Sequence, residues 1–172
     1  MSKKDSKDTK TTKATTDSKK QDKATAENTA QTYDCLRLKN QLCFPLYACS
    51  KEIIRRYKPL LDKLDLTYTQ YIAMMVLWEK ERLHVGELGE CLFLDSGTLT
   101  PLLKKLEQKG YITRCRSQED ERAVEICITE TGKALQDEAL SVPAAMGSCV
   151  NLTEEEATYL YQILYKILES MS

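Results

Sequence analysis

Residues 94–116 are LDSGTLTPLLKKLEQKGYITRCR, the part of the sequence that is most informative about the fold. Its leucines recur at the spacing of one buried helical face, at positions 99, 102, 103 and 106. Asp95 or Ser96 is a suitable N-cap residue, and Gly110 is the residue type at which helices commonly end. The stretch therefore predicts a helix over residues 97–109.

The flanking segments predict a helix-turn-helix followed by a wing. Before the long helix, residues 86–92 form a short helical pattern and residues 93–95 a turn. After it, residues 111–116 and 123–128 alternate like two strands, and the turn between them, residues 117–122, contains no apolar residue. A hairpin with a polar tip directly after a recognition-type helix is the layout of a winged DNA-binding domain.

Apolar residues at helical spacing also run from Tyr33 to Leu64. Because proline fits only the first turn of a helix, Pro45 predicts that a helix either begins near Leu42 or kinks there. For the same reason, Pro59 predicts that the segment ends or bends after Tyr57.

Further helices are predicted on both sides of the winged unit. One covers residues 68–80, with Thr67 or Thr69 as its cap, and its inward-facing residues are Tyr71, Met74, Met75 and Trp78. Another begins at Thr129 or Thr131 and runs towards Met146. The last opens at Thr153 in the manner of a capping box.

The predicted fold class is mainly α with a small β wing. The first and last helices carry more apolar surface than one winged domain needs, so we interpret the excess as a dimer interface. The predicted parts are a disordered Lys/Thr-rich tail (1–32), a winged-helix domain (33–172) with dimerisation helices (33–66 and 133–172), and its DNA-binding winged helix-turn-helix (67–132).

Charge is unevenly distributed along the chain. The formal net charge is −1, but residues 1–30 carry eight Lys against four Asp and one Glu. Such a segment buries too little apolar area to order itself, and whether it also acts as a basic arm on phosphates stays open. Between Ser96 and Arg122 there are six basic and four acidic residues. Contact with DNA is therefore expected from this local patch.

The composition also indicates the cellular compartment of the chain and whether it has a metal or cofactor site. No apolar run approaches the ~18 residues of a membrane span, and no export signal precedes the first helix. Seven cysteines in such a chain predict reduced thiols in the cytoplasm. Since no CxxC occurs and the single His84 has no cysteine within a few residues, we expect no metal site, and nothing indicates a cofactor.

The candidate DNA-binding residues combine short hydroxyl side chains at a helix start with basic side chains on the helix and the wing. Asp120 is expected to accept a charge-assisted hydrogen bond from Arg122 and so to orient its guanidinium towards a minor groove. The full set is Ser96, Gly97, Thr98, Thr100, Lys104, Lys105, Arg114, Arg116, Asp120 and Arg122. An ordinary amphipathic helix and a solvated surface ion pair are the structural alternatives.

Cys43 differs from the other thiols in its surroundings. If a helix begins near Leu42, Cys43 lies at the positive end of the helix dipole, which favours a thiolate. Tyr47 lies one turn further on the same face. The residues alone also allow a buried structural cysteine, as predicted for Cys91 and Cys127 from their apolar patterns.

Five motifs resemble the MarR family of transcriptional regulators, and within it the organic hydroperoxide sensors of the OhrR type. They are QLCFPLY (41–47), YKPLLDKL (57–64), LTYTQY (66–71), LDSGTLTPLL (94–103) and EDER (119–122). The similarity covers roughly residues 39–146. The first motif, with its cysteine and tyrosine, is specific to the OhrR type.

The resemblance implies a homodimeric repressor that binds double-stranded DNA at a pseudo-palindromic operator, with an organic hydroperoxide as inducer. It implies that Cys43 is the peroxide-reactive thiolate and that Tyr57 and Tyr68, acting from the other subunit, donate hydrogen bonds to it, which adds to the contribution expected of Tyr47. It also implies that the oxidised thiol is capped by Cys149 across the dimer or by a low-molecular-weight thiol.

Three other interpretations compete with this one. A MarR-type regulator that responds to a phenolic ligand or to hypochlorite keeps the winged helix without needing Cys43. A thiol peroxidase would be an enzyme, which the architecture disfavours, so we expect no enzymatic activity. A protein-interaction module that has lost DNA binding is disfavoured by Lys104, Lys105, Asp120 and Arg122.

Overall fold

The computed structural model describes residues 33–116, 124–147 and 149–171. The predicted tail and the tip of the wing, which includes Asp120 and Arg122, lie outside these residues. The chain divides into two compact units, residues 1–51 and 52–172. In the described part of the first unit, two 3-10 turns precede the first helix, and Asn40 Nδ2 donates to the Asp34 carboxylate at 2.9 Å.

The helices and strands follow the predicted order with two additions, a short first strand and a divided helix after the wing. They are α1 (Cys43–Leu61), α2 (Tyr68–Lys80), β1 (Arg82–His84), α3 (Val85–Leu92), α4 (Ser96–Gln108), β2 (Ile112–Arg116), β3 (Val124–Ile128), α5 (Glu130–Ala139), α6 (Ser141–Gly147) and α7 (Glu154–Glu169).

Helix α1 bears on both proline predictions. It begins at Cys43, so Pro45 lies in its first turn, where a missing N–H costs nothing. Of the two alternatives predicted for Pro59, an end of the helix after Tyr57 is wrong, since α1 continues to Leu61, and a bend there stays a prediction. Pro59 has no N–H to donate to the Arg55 carbonyl, and beyond Leu61 the chain continues only as a 3-10 turn, Asp62–Leu64. Burial of Leu61 also holds this end in place.

Helix α2 has the predicted bounds, and its cap is Thr67. The Thr67 hydroxyl accepts from the Gln70 backbone N–H at 3.3 Å, and Gln70 Oε1 accepts from the Thr67 N–H at 3.1 Å. The inward orientation predicted for Met75 is wrong, since this residue is 46% exposed. The buried face follows positions 70, 73, 74 and 77, the i, i+3, i+4, i+7 series, which Met75 does not join.

The sheet has three antiparallel strands in the order β1-β3-β2. Leu83 of β1 and Arg114 of β2 both pair with Ile126 of β3. The sequence pattern predicted only the hairpin, because a strand of three residues is too short for a recognisable alternation. Pairing with β3, which is distant in sequence, creates β1.

The segment after the wing is two helices where one was predicted. Thr129 caps α5 by accepting from the Gly132 N–H at 3.0 Å, and α5 ends at Ala139. Pro143 explains the break, because it has no N–H to give to the Ala139 carbonyl and its ring would clash with that carbonyl in a continuous helix. In the first turn of α6 the same proline is tolerated.

The hydrophobic core lies within the second unit, where α4 packs with the sheet and the surrounding helices. Its largest fully buried side chains are Leu61, Met74, Leu77, Leu88, Leu99, Leu103, Leu106, Ile112 and Ile126. These positions belong to α1, α2, α3, α4 and the sheet, so the predicted class, mainly α with a small sheet, is confirmed.

Candidate functional site

The start of the recognition helix α4 is held by Asp95. Its carboxylate accepts from the Thr98 backbone N–H at 3.0 Å and from the Thr98 hydroxyl at 2.8 Å. These hydrogen bonds from Thr98 lower the pKa of Asp95 below its usual value. Asp95 is therefore ionised at neutral pH, and its negative charge complements the positive end of the helix dipole.

This cap gives a pH dependence of known sign. Because the pKa of Asp95 is lower in the folded state, its contribution is present above the unfolded pKa and is lost as the pH falls through the folded pKa. We expect Asp95→Ala to lower the urea midpoint at pH 7, and the difference from wild type to shrink on acidification. Asp95→Asn, which caps without titrating, is the control, and an Ala deficit independent of pH would contradict the assignment.

Gly97 is required by the cap itself. A Cβ at this position would lie 2.9 Å from Asp95 Oδ1, inside the contact distance of real side chains. The hydroxyl of Thr100 donates to the Ser96 carbonyl at 2.8 Å. The hydroxyl groups of Thr98 and Thr100 thus donate their protons to acceptors of the same helix start. Their methyl groups and oxygen lone pairs remain available to a ligand.

The two faces of α4 differ as the sequence predicted. Leu99, Leu102, Leu103 and Leu106 are buried. Ser96, Gly97, Thr98, Thr100, Lys104 and Lys105 are exposed. Neither Lys104 nor Lys105 forms an ion pair with a described residue, so both ammonium groups are available to an anionic partner.

Arg114 is engaged inside the chain. Its guanidinium donates to Glu107 Oε2 from Nε at 2.9 Å, which joins the first wing strand to α4. The hydrogen bond with Arg114 lowers the pKa of Glu107. For the predicted contact with DNA, Arg114 thus has only those guanidinium N–H groups that do not donate to Glu107. Only the backbone of Arg116 is described, in β2.

The two candidate redox cysteines lie on different elements. Cys43 is exposed and is the first residue of α1, with Tyr47, also exposed, one turn later. Cys149 is half-buried, and its Sγ donates to the Ala145 carbonyl at 3.4 Å. The prediction that Cys91 is a small buried hydrophobe is wrong. Cys91 is exposed, and Lys80 Nζ lies 3.8 Å from its sulfur, because it is on the outer side of α3.

Tyr57 and Tyr68 lie together at one end of an aromatic series. Their ring centroids are 4.9 Å apart, and Tyr71 follows at 6.0 Å from Tyr57 and Trp78 at 6.1 Å from Tyr71. Burial first, and then the neighbouring Tyr68, raise the pKa of Tyr57. Its phenol therefore stays protonated and able to donate at neutral pH. A cleft of about 250 Å³ that includes Ile54 and Tyr68 adjoins the pair.

Within the described ranges, no group of three or more His, Cys, Asp or Glu side chains is arranged to hold a metal ion. No helix among the same residues is long and apolar enough to cross a membrane.

Sequence reasoning missed three polar residues that shape this region. Glu107 holds Arg114, Gln70 is a buried polar residue at 2% exposure, and Lys109 contacts Gln70 and Asp65. The capping-box spacing from Thr67 to Gln70 was a usable signal for Gln70. No local pattern indicates Lys109 or Glu107, because their partners come from other elements.

Comparison with known proteins identifies the family. A model of the SarA/Rot transcriptional regulators matches residues 55–139. The organic hydroperoxide resistance transcriptional regulator of Bacillus subtilis (strain 168) is 50% identical over 139 residues, which are 81% of this chain and 95% of that protein. The chain belongs to the MarR family of transcriptional regulators, in the group of the OhrR type.

Staphylococcal regulators are also similar to this MarR-family chain. SarZ of Staphylococcus aureus (strain USA300) is 48% identical over 121 residues, covering 70% of this chain and 82% of SarZ. Reduced AbfR bound to DNA, a Staphylococcus epidermidis protein, has a TM-score of 0.67 and 34% identity over 83% of this chain and 99% of AbfR. These relatives are transcriptional regulators rather than enzymes.

AbfR is known in further oxidation states. Overoxidised AbfR bound to DNA has a TM-score of 0.66 with 35% identity, covering 82% of this chain and 99% of AbfR. The disulfide form has a TM-score of 0.55 with 35% identity, covering 83% and 97%. The TM-score is thus higher for the two DNA-bound forms than for the disulfide form.

Proposed function

We propose that this chain is a homodimeric repressor that releases a pseudo-palindromic operator when an organic hydroperoxide oxidises Cys43. One observation carries the proposal. Cys43 is the exposed first residue of α1 in a chain half identical to a regulator named for organic hydroperoxide resistance. Its exposure leaves the sulfur accessible to a peroxide.

The first step forms a sulfenic acid. The Cys43 thiolate attacks one peroxide oxygen, so that an S–O bond forms, the O–O bond breaks and the alcohol leaves after taking up a proton. Hydrogen bonds from protonated phenols favour the thiolate. Tyr57 and Tyr68, which lie side by side in the fold, are the proposed donors from the partner subunit, with Tyr47 as a further donor.

The second step caps the sulfenic acid. In our proposal the Cys149 thiol of the other subunit attacks the Cys43 sulfur, so that an S–S bond forms, the S–O bond of the sulfenic acid breaks, and the hydroxyl leaves as water with the thiol proton of Cys149. A low-molecular-weight thiol is the alternative co-reactant. Two observations favour the protein disulfide: AbfR has a disulfide form, and its overoxidised form is bound to DNA. By analogy, a disulfide rather than further oxidation of one sulfur would release this chain from DNA.

A second copy of the chain is the proposed partner of α7. No described residue of α7 is buried. Its most exposed large hydrophobic side chains are Tyr159, Leu160, Tyr161, Ile163, Leu164 and Tyr165. So many large exposed apolar side chains on one helix mark an interaction site. A two-fold dimer would set two recognition helices about 34 Å apart, the separation of successive major-groove half-sites.

The proposed DNA contacts divide by type. Lys104 and Lys105 would neutralise phosphates, which makes affinity dependent on salt. The start of α4, from Ser96 to Thr100, would approach base edges, and the methyl groups of Thr98 and Thr100 suit the thymine methyl. From the resemblance, the wing residues Arg116, Asp120 and Arg122 would contact the backbone and minor groove, and Arg114 would contribute as far as its pairing with Glu107 allows.

The test is fluorescence anisotropy on DNA from upstream of the chain's own gene, with and without a stoichiometric organic hydroperoxide. We expect oxidation to weaken wild-type binding by about 5–150-fold, the usual range of coupling between sites. Cys43→Ser should bind and not release. Cys49→Ser, which removes another exposed thiol of α1, should release normally and is the matched control. Release by Cys43→Ser would refute the assigned thiol.

One observation favours a second candidate, a regulator that responds to a small phenolic ligand. A mostly apolar cleft of about 780 Å³ that includes Phe93, Leu99 and Leu168 lies beside the start of α4. This volume is in the range of small-molecule sites, about 300–1,000 Å³. Under this candidate, phenolic compounds weaken DNA binding of Cys43→Ser and wild type equally, and peroxide has no effect on either.

A further inference from the structure

Lys109 joins the end of the recognition helix to a turn that precedes it by more than 40 residues. Its ammonium group donates to the Asp65 backbone carbonyl, pairs with Asp65 Oδ2 at 3.0 Å and donates to Gln70 Oε1 at 3.4 Å. The Lys109 side chain is only 25% exposed. One ammonium group therefore has three acceptors from the turn and from the first turn of α2, all within the second unit.

Both residues that accept from Lys109 have unusual environments, a left-handed backbone at Asp65 and a buried side chain at Gln70. Asp65 has a φ of +52°, a left-handed conformation that a non-glycine residue adopts at a cost. Gln70 is 2% exposed, and its Oε1 also accepts the Thr67 N–H in the capping box of α2. A buried amide oxygen that loses a donor is destabilised more than a surface one, because water does not replace the donor. Lys109 thus helps to hold both the turn and the α2 cap.

This turn separates the two tyrosine-bearing helices. Tyr57 lies in the last part of α1, before the turn, and Tyr68 is the first residue of α2, directly after the Thr67 cap. Their rings are 4.9 Å apart. A relative movement of the two helices at these rings would therefore involve residues 62–67, which contain Asp65 and adjoin Gln70.

The wing also begins beside this contact. Gly110 ends α4 with a φ of +75°, and Tyr111 leads into β2. Burial, and then the carboxylates of Asp65 and Glu138, raise the pKa of Tyr111. The Asp65 carboxylate is thus close to both the end of α4 and the start of the wing.

We propose that Lys109 is a positioning residue that couples the Tyr57–Tyr68 pair to the recognition helix. The inference rests on the proposed function, in which Tyr57 and Tyr68 donate to Cys43 of the other subunit, and it adds that oxidation of Cys43 disturbs this tyrosine pair. A displacement of the turn between α1 and α2 reaches the C-terminal end of α4 through the Lys109 ammonium group. Coupling requires a contact whose strength differs between the DNA-fitting and the released conformations, and our proposal assigns that difference to the contacts of Lys109, which lies at the junction of both elements.

The experiment compares two dissociation constants for each variant of the full chain. Operator binding is measured for the reduced protein and for protein whose Cys43 oxidation is verified as complete by mass spectrometry. The ratio of the oxidised to the reduced constant measures coupling, and any change in charge that affects both states equally cancels from it. The variants are Lys109→Met, which keeps the methylenes, and Asp65→Asn, which tolerates the left-handed backbone.

We expect Lys109→Met to lower this ratio at least 5-fold and Asp65→Asn to lower it in the same direction. Lys109→Arg should restore part of the ratio, because it keeps the cation. Lys63→Met is the matched control, since Lys63 belongs to the same connection, is exposed and has no ion pair with a described residue. Its ratio should equal that of wild type.

A merely structural role for Lys109 would give a different result. In that case Lys109→Met lowers the melting temperature, keeps the wild-type ratio and overturns the proposal. The proposal is also overturned if Lys63→Met lowers the ratio as much as Lys109→Met does. A wild-type ratio near one with Cys43 fully oxidised would instead show that the proposed peroxide switch is wrong, which separates failure of the function from failure of the coupling residue.

Discussion

Replacing Gly132 by alanine should destabilise the fold by about 1–3 kcal/mol or more, the usual effect of forcing an extra methyl group into a filled space. A Cβ at Gly132 would lie 2.2 Å from the Tyr111 carbonyl oxygen and 2.9 Å from Ile128 Cγ1. The first of these atoms belongs to the backbone, which cannot turn aside as a flexible side chain can. The start of α5 would have to move away from the sheet.

Two hydrogen bonds oppose that movement. The Gly132 carbonyl accepts from Trp78 Nε1 at 2.8 Å, and the Gly132 N–H donates to Thr129 Oγ1 at 3.0 Å. Both would lengthen if α5 shifted. The measurement is chemical unfolding followed by circular dichroism, with the slope checked against wild type so that the change in midpoint reports stability.

Gly86→Ala is the matched control, since Gly86 also lies in the first turn of a helix. A Cβ there would meet no atom within 4 Å. We expect this substitution to stabilise the chain by about 0.4–1 kcal/mol, because alanine loses less backbone entropy than glycine in a helix. Equal effects of the two substitutions would contradict the close approach described for Gly132.

Leu164→Glu should convert the proposed dimer to a monomer and reduce operator affinity on the order of 10³-fold, the lower end of the difference between specific and nonspecific DNA binding. Leu164 lies in the apolar stripe of α7 and is 36% exposed in the single chain. A carboxylate buried in a dimer interface without a partner costs several kcal/mol. A monomer presents one recognition helix and cannot occupy both half-sites.

Sedimentation velocity and operator binding measure the two consequences. Gln162→Glu adds the same charge to α7 on the side opposite the apolar stripe, so it should leave both the dimer and the affinity intact. If the Leu164→Glu variant is a monomer and still binds the operator with wild-type affinity, the proposal that the chain binds its operator as a dimer is contradicted. Dimers formed by Leu164→Glu would place the interface elsewhere.

Local sequence signals predicted most of the secondary structure. The Thr67 cap and helical spacing predicted α2 at its observed bounds, and Asp95 and Gly110 predicted the ends of α4 to within one residue. Pro45 indicated a helix start, which α1 makes at Cys43. The break between α5 and α6 was not predicted, although Pro143, now the third residue of α6, was a local signal for it.

The candidate site was only partly predictable for a physical reason. Exposure of Lys104 and Lys105 follows from the helical periodicity of α4, which places the leucines opposite them. The pairing of Arg114 with Glu107 joins β2 to α4, and the exposed position of Cys91 depends on which face of α3 the core covers. The pattern of residues in a sequence indicates such contacts only when both partners lie on the same helix or strand.

Local sequence order was enough to predict the bounds of α2, the bounds of α4 to within one residue, the apolar face of α4, and the cysteine at which α1 begins. These properties follow from capping, proline geometry and periodicity, all of which act within a few residues. Only the tertiary structure decided that β1 exists, that Tyr57 and Tyr68 lie side by side, and that Lys109 joins the turn at Asp65 to the end of α4. These contacts link residues brought together when the core closes, so their partners cannot be read from local order.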